Sequence, residues 1–233
     1  MKYSVLRTSL AALAVTVAAS LPSGAVQAAD LLSQQCVACH AIAKPEKASL
    51  ERILERKGPD LYYAGAKFNQ EWLVAWLQNP TTIRAGGAMF VHAVKAGANR
   101  SVDTIDPSKV APHPKLSAAD AKAAAELLMA LKPDGLVTPG AHKGEPGGSM
   151  ASMLFSKLRG CTSCHAAKPG DPPLSGPELY SAGARLQPDF MLAYMKDPQR
   201  FDPHTWMPTL GVTDADMQKL TSYLTTLKNQ EKK

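Results

Sequence analysis

Two pentapeptides constrain this chain more than anything else in it: Cys36-Val37-Ala38-Cys39-His40 and Cys161-Thr162-Ser163-Cys164-His165. Together they use all four cysteines of the 233 residues. A Cys-x-x-Cys-His run is a covalent haem attachment site. The two thiols add to the porphyrin vinyl groups along one edge, and the adjoining histidine reaches the iron as an axial ligand. One copy alone reads equally well as a zinc half-site or a redox dithiol, and four cysteines in a secreted chain ordinarily mean two disulfides. Two copies, each running directly into histidine and each heading a similar stretch of sequence, point instead to two covalently attached haem c groups. The attachment residues are then Cys36, Cys39, Cys161 and Cys164, with His40 and His165 on the irons.

The similarity between the two halves is long and ungapped. Gly58-Pro59-Asp60-Leu61-Tyr62 is matched by Gly176-Pro177-Glu178-Leu179-Tyr180, and Ala64-Gly65-Ala66-Lys67 by Ala182-Gly183-Ala184-Arg185. The match runs on through Trp72 to Pro80, paired with Phe190 to Pro198. Each half closes on a helical pattern. Ser117 and Thr213 open these helices with an acid three residues later (Asp120, Asp216), and leucines recur behind them at helical spacing. Lys132 to Ser149, rich in Pro and Gly, reads as a linker. Strand signals are scarce. The expected fold is all-α, with one helical unit over residues 29–131, a linker over 132–149 and a second unit over 150–233. Units this small make marginal cores alone, and a buried haem supplies the missing apolar volume.

The N-terminus reads as a targeting segment. Lys2 and Arg7 precede an apolar run from Leu10 to Ala19, then Pro22, Gly24 and the small-residue Val26-Gln27-Ala28. That order predicts a signal peptide over residues 1–28, cleaved after Ala28, and hence export to the periplasm. The apolar run is too short for a membrane-spanning helix, which needs about 20 residues, and no later segment is apolar enough to cross. Losing Lys2 and Arg7 lowers the formal charge from +6 to +4, and haem propionates offset more of it. A basic balance without a basic stripe gives no reason to expect nucleic-acid binding. It suits a docking face for an acidic redox partner.

With both attachment motifs, the Gly-Pro-x-Leu stretch, a central helix ending in Asn79-Pro80 or Asp197-Pro198, and a final helix, the chain resembles a tandem pair of class I c-type cytochromes. The resemblance covers about Leu31 to Leu131 and Met150 to Lys228. It implies two cytochrome c-like helical domains in tandem, each wrapped around its haem. It further implies that the Pro59 carbonyl accepts a hydrogen bond from His40 Nδ1, and the Pro177 carbonyl one from His165. The aromatic pairs Trp72/Trp76 and Phe190/Tyr194 would line the haem crevices, and Lys67 and Arg185 would either meet haem propionates or face solvent.

The sixth ligands follow from the same resemblance. Trp206-Met207-Pro208 looks like the family's distal Met-Pro loop, which makes Met207 the expected ligand in the second repeat, with His204 its competitor. Carrying the ungapped match past Pro80 places Met89 opposite Met207, and Met89 is the expected ligand of the first repeat. Yet Phe90 follows it instead of Pro, and an insertion from Val91 to about Pro112 intervenes. Counting back from the last helix points to His113 instead, and His92 is a third candidate. His142 belongs to the linker.

Two irons with two protein ligands each leave no position for substrate, so the expected role is electron transfer between a donor and an acceptor protein, one electron per haem. Two further readings stand beside it. The chain could be the electron-transfer subunit of a larger oxidoreductase, or a haem enzyme (a peroxidase or sulfur-compound oxidase) if the first iron has a displaceable ligand.

Overall fold

The computed structural model describes residues 30–83, 86–98, 103–171, 175–209 and 211–228. The expected signal peptide, residues 1–28, lies outside the described residues. Among those described, no helix is long and apolar enough to cross a membrane.

The two halves repeat each other in structure as well as sequence. The short helix Ala64–Lys67 recurs as Ala182–Arg185, and Gln70–Gln78 recurs as Pro188–Lys196, each pair 118 residues apart. Asn79 and Asp197 then end the central helices, because the following Pro80 and Pro198 disfavour helical geometry in the residue before them. The closing helices, Ala118–Met129 and Asp214–Thr226, start where the sequence predicts. Ser117 Oγ accepts from the Asp120 amide and Thr213 Oγ1 from the Asp216 amide, both at 3.1 Å.

In each half the central helix packs on the closing helix. The first core gathers Leu32, Leu61, Leu73, Leu77 and Leu128 around Ala121, Ala124 and Ala125. Those alanines present almost no side chain, which lets the helices approach closely. The second core is richer in rings and thioethers: Phe155, Phe190, Met191, Phe201, Leu220 and Leu224. It also takes Tyr62 and Tyr63 from the first half. Tyr63 stacks on Phe190 with ring centres 6.0 Å apart and meets Phe201 edge-on at 5.4 Å.

The halves join through equivalent residues. Phe68 and Leu186 form an antiparallel bridge, flanked by Asn69 N donating to Arg185 O (2.8 Å) and Gln187 N donating to Lys67 O (2.9 Å). The side-chain amides repeat the exchange: Asn69 Nδ2 donates to Leu186 O, and Gln187 Nε2 to Phe68 O. Each residue of one half bonds the counterpart of its own partner, which is the pattern of an isologous two-fold interface built inside one chain. Arg56 adds an ion pair to Asp202 at 3.0 Å.

The differences between the halves are local. His40 lies 19 residues before the proline it contacts and His165 only 12, and the extra length in the first half forms the helix Leu50–Glu55. The insertion after Pro80 carries the helix Ala88–Ala93 and a two-residue antiparallel ladder, Val94–Lys95 with Thr104–Ile105. That ladder departs from the all-α expectation, and it pins the insertion back on itself. The expected linker is held throughout its middle: Asp189 accepts from the Gly140 and His142 amides, and Gln218 bonds Ala141, His142 and Lys143.

Candidate functional site

Each Cys-x-x-Cys-His pentapeptide folds into a single tight turn. Cys36 O accepts from the Cys39 and His40 amides at 3.1 and 2.9 Å, and Cys161 O accepts from Cys164 and His165 at 3.2 and 3.0 Å. No cysteine is disulfide-bonded: Cys39 and Cys164 are exposed, Cys36 and Cys161 half-buried. Burial pushes the Cys36 and Cys161 thiols up, the adjacent cysteines adding to it. A dithiol oxidoreductase needs the opposite, a thiolate stabilised below the ordinary value. Nor do three or more His, Cys, Asp or Glu converge as a metal cage among the described residues. One sulfur pair beside one imidazole is the residue set that haem c attachment uses, two thiols for the vinyl groups and one nitrogen for the iron.

The histidines are held alike. His40 Nδ1 and His165 Nδ1 each lie 2.7 Å from the carbonyl oxygens of Pro59 and Pro177. Burial lowers both imidazole pKa values, opposed by these same bonds. A neutral ring that donates through Nδ1 keeps its Nε2 lone pair for a metal. The glycine before each proline is part of the arrangement. A Cβ on Gly58 would stand 2.5 Å from His40 Cε1, and one on Gly176 would stand 2.7 Å from the His165 ring. Only glycine lets backbone lie flat against the imidazole. The sequence carried that signal in its Gly-Pro repeat, but the contact is visible only in space.

Met207 is partly buried in the loop between Pro198–Arg200 and the last helix. Gln199 Nε2 donates to Met207 O at 3.0 Å, Thr209 Oγ1 donates to Gln199 Oε1, and the Tyr194 hydroxyl meets Thr205 Oγ1. His204 is turned away, its Nε2 2.9 Å from Ala48 O in the first half.

The first half arranges its candidates differently. Met89 is partly buried on the Ala88–Ala93 helix, which starts against the second half where Gly87 N donates to Ser175 O (2.9 Å). His92, on the same helix, places Nε2 2.7 Å from Leu54 O. His113 instead faces His40, with ring centres 6.3 Å apart, and Trp76 meets it edge-on at 4.5 Å. Trp72 and Trp76 do form the expected stripe, stacked at 5.7 Å. His142 is packed rather than solvated: Nδ1 is 3.0 Å from Gln218 Oε1, and Nε2 is 3.4 Å from Ser222 Oγ.

The matched cations sit at the junction between halves. Arg185 is buried and donates to Ser181 Oγ and Glu178 O, and its burial lowers its pKa. Lys67 Nζ lies over the rings of Phe68, Tyr63 and Phe190 at 5.0 to 5.6 Å. Burial, then the charges of Arg185 and Arg56, push the Lys67 ammonium down to about 8.

Residues 151–228 match the family model described as Cytochrome c, so the chain contains a cytochrome c domain, an electron-transfer unit with covalently bound haem c. No curated protein and no solved structure matches the chain.

Proposed function

We propose that the chain is an exported dihaem cytochrome c, composed of two cytochrome c domains over residues 29–131 and 150–233, that passes single electrons between a donor and an acceptor protein in the periplasm. One observation carries this reading. The first half reproduces, at the same 2.7 Å, the histidine–proline contact of the half that matches the cytochrome c family, behind the same cysteine turn. Cys36 and Cys39 would tether one haem and Cys161 and Cys164 the other, with His40 and His165 as axial donors. The group supplies an iron that cycles between ferrous and ferric states.

The rest falls to the chain. Pro59 and Pro177 fix the imidazole tautomer and orientation, the Gly58 and Gly176 contacts lock the rings, and Gln199 holds the Met207 loop in place for thioether ligation. A donor set that changes little with oxidation state keeps reorganisation small. The basic balance of the exported chain favours encounter with acidic partners, and a permanent place in an oxidoreductase complex is compatible with the same surface.

A reductive titration of the haem-loaded protein tests the reading. Two electrons per chain are expected, taken up one per haem, with slow cyanide binding by the ferric protein. Uptake of a single electron rules out the dihaem carrier. Rapid cyanide binding to either ferric iron favours the enzyme reading instead.

A further inference from the structure

We propose that His113 is the second nitrogen donor to the first haem iron, opposite His40, so that the two irons of this chain are held by unlike ligand pairs. The proposal rests on the reading that Cys36 and Cys39 carry a haem.

Distance is the first ground. The His40 and His113 ring centres are 6.3 Å apart and the rings are inclined at 46°. A metal–imidazole bond of about 2.0–2.1 Å, extended by about 1.1 Å to each ring centre, puts two imidazoles on one metal roughly 6 to 6.5 Å apart.

The nitrogens agree with it. His40 Nδ1 is committed to Pro59 O at 2.7 Å, and His113 Nδ1 lies 2.9 Å from Pro114 O. Neither Nε2 has a hydrogen-bond partner among the described residues, so each ring keeps one free donor atom. Imidazoles that bind metal commonly spend their other nitrogen this way. His165 shares this pattern in the second half, whereas Nε2 of His92 and His204 is taken by backbone carbonyls and both His142 nitrogens have partners.

His113 is also held in position. Trp76 meets it edge-on at 4.5 Å and is fixed in turn by Nε1 donating to Thr81 O and by stacking on Trp72. Three residues on, Leu116 N donates to Leu77 O at 3.0 Å, tying the loop to the Gln70–Gln78 helix. His113-Pro114 precedes the closing helix of its half just as Met207-Pro208 precedes the other. Met89 sits on a helix held by Gly87 N donating to Ser175 O and by His92 against Leu54 O.

Two imidazoles place the iron at a lower potential than imidazole and thioether. The first site then lies below the second in potential, and the chain gains an internal direction, from the first half to the second.

The test uses the full-length, haem-loaded protein with its haem content measured on the same samples. Ferric spectra should show two low-spin haems and at most one sulfur-to-iron charge-transfer band per chain. His113→Phe keeps a ring against Trp76 but removes the donor, and should turn one of the two haems high-spin. Met89→Leu should leave both low-spin and any sulfur band at full intensity. The proposal is overturned if His113→Phe leaves both haems low-spin, if Met89→Leu converts one to high-spin, or if the unmodified protein shows sulfur bands from both haems. A content of one haem per chain would sink the dihaem reading itself, and this proposal with it.

Discussion

Gly65 tests how tightly each half is built. It is buried in the Ala64–Lys67 helix, and its amide donates to Leu131 O at 3.0 Å, as that of Gly183 does to Leu227 O at 2.8 Å. A Cβ at Gly65 would stand 2.1 Å from Met129 O and 2.6 Å from Met129 C, where ordinary contact begins at 3.4 Å. Both obstructing atoms are helix backbone and cannot rotate aside, so the Ala118–Met129 helix must retreat by about 1 Å. A gap of 0.5–1 Å forfeits roughly a quarter to a half of each contact it opens, and overpacking of this kind costs about 1–3 kcal/mol. The helix preference of Ala over Gly returns up to about 1 kcal/mol. Gly65→Ala should therefore destabilise by about 1 kcal/mol, read as a lower urea midpoint or a melting temperature reduced by about 2–4 °C. Gly183→Ala, whose Cβ would stand 2.2 Å from Thr225 O, should do the same. An unchanged or higher midpoint for Gly65→Ala would refute the packing argument.

Arg56→Ala removes the cation that pairs with buried Asp202 across the junction and leaves that carboxylate, among the described residues, the His204 amide. A loss of about 3 kcal/mol is expected in urea unfolding, and Asp202→Asn in the Arg56→Ala background should recover part of it. Ser117→Ala and Thr213→Ala each delete a helix cap and should cost about 1 kcal/mol apiece, additively, because the caps open different helices. Burial, with Tyr194 and Tyr62 adding to it, raises the Tyr63 phenol well above 10.0. The unfolded chain therefore releases this proton first, and stability falls as pH rises past about 10, by up to ~1.4 kcal/mol per unit. Tyr63→Phe should flatten that alkaline loss, which urea midpoints measured between pH 9 and 11 would reveal.

Much of this molecule was legible in the residues. The repeated Gly-Pro, the caps at Ser117 and Thr213 and the ends at Asn79 and Asp197 are local signals, and the structure places each where local physics puts it. The junction was not legible. It is made of backbone and amide hydrogen bonds at Lys67–Asn69 and Arg185–Gln187, and such bonds leave no pattern in side-chain type. Lys67 looked like a propionate partner or a solvated charge, yet its ammonium lies among three rings contributed by both halves. The hold on the linker was hidden for a similar reason: Asp189 and Gln218, far along the chain, supply its partners. The donor proposed for the first repeat shows a further limit. Counting from Pro80 assumes that an ungapped match continues into the insertion. The bond from Leu116 to Leu77 fixes the loop from its other end, and it brings His113 to Trp76 and His40.

The central claim is that both halves carry a haem through their own cysteines. Intact-mass measurement of the purified, exported protein tests it directly, with the pyridine haemochrome spectrum for independent haem count. The account predicts the mass of residues 29–233 plus two haems, with one haem lost on Cys36→Ala/Cys39→Ala and the other on Cys161→Ala/Cys164→Ala. A chain that carries a single haem, retained when Cys36 and Cys39 are both replaced, would contradict it.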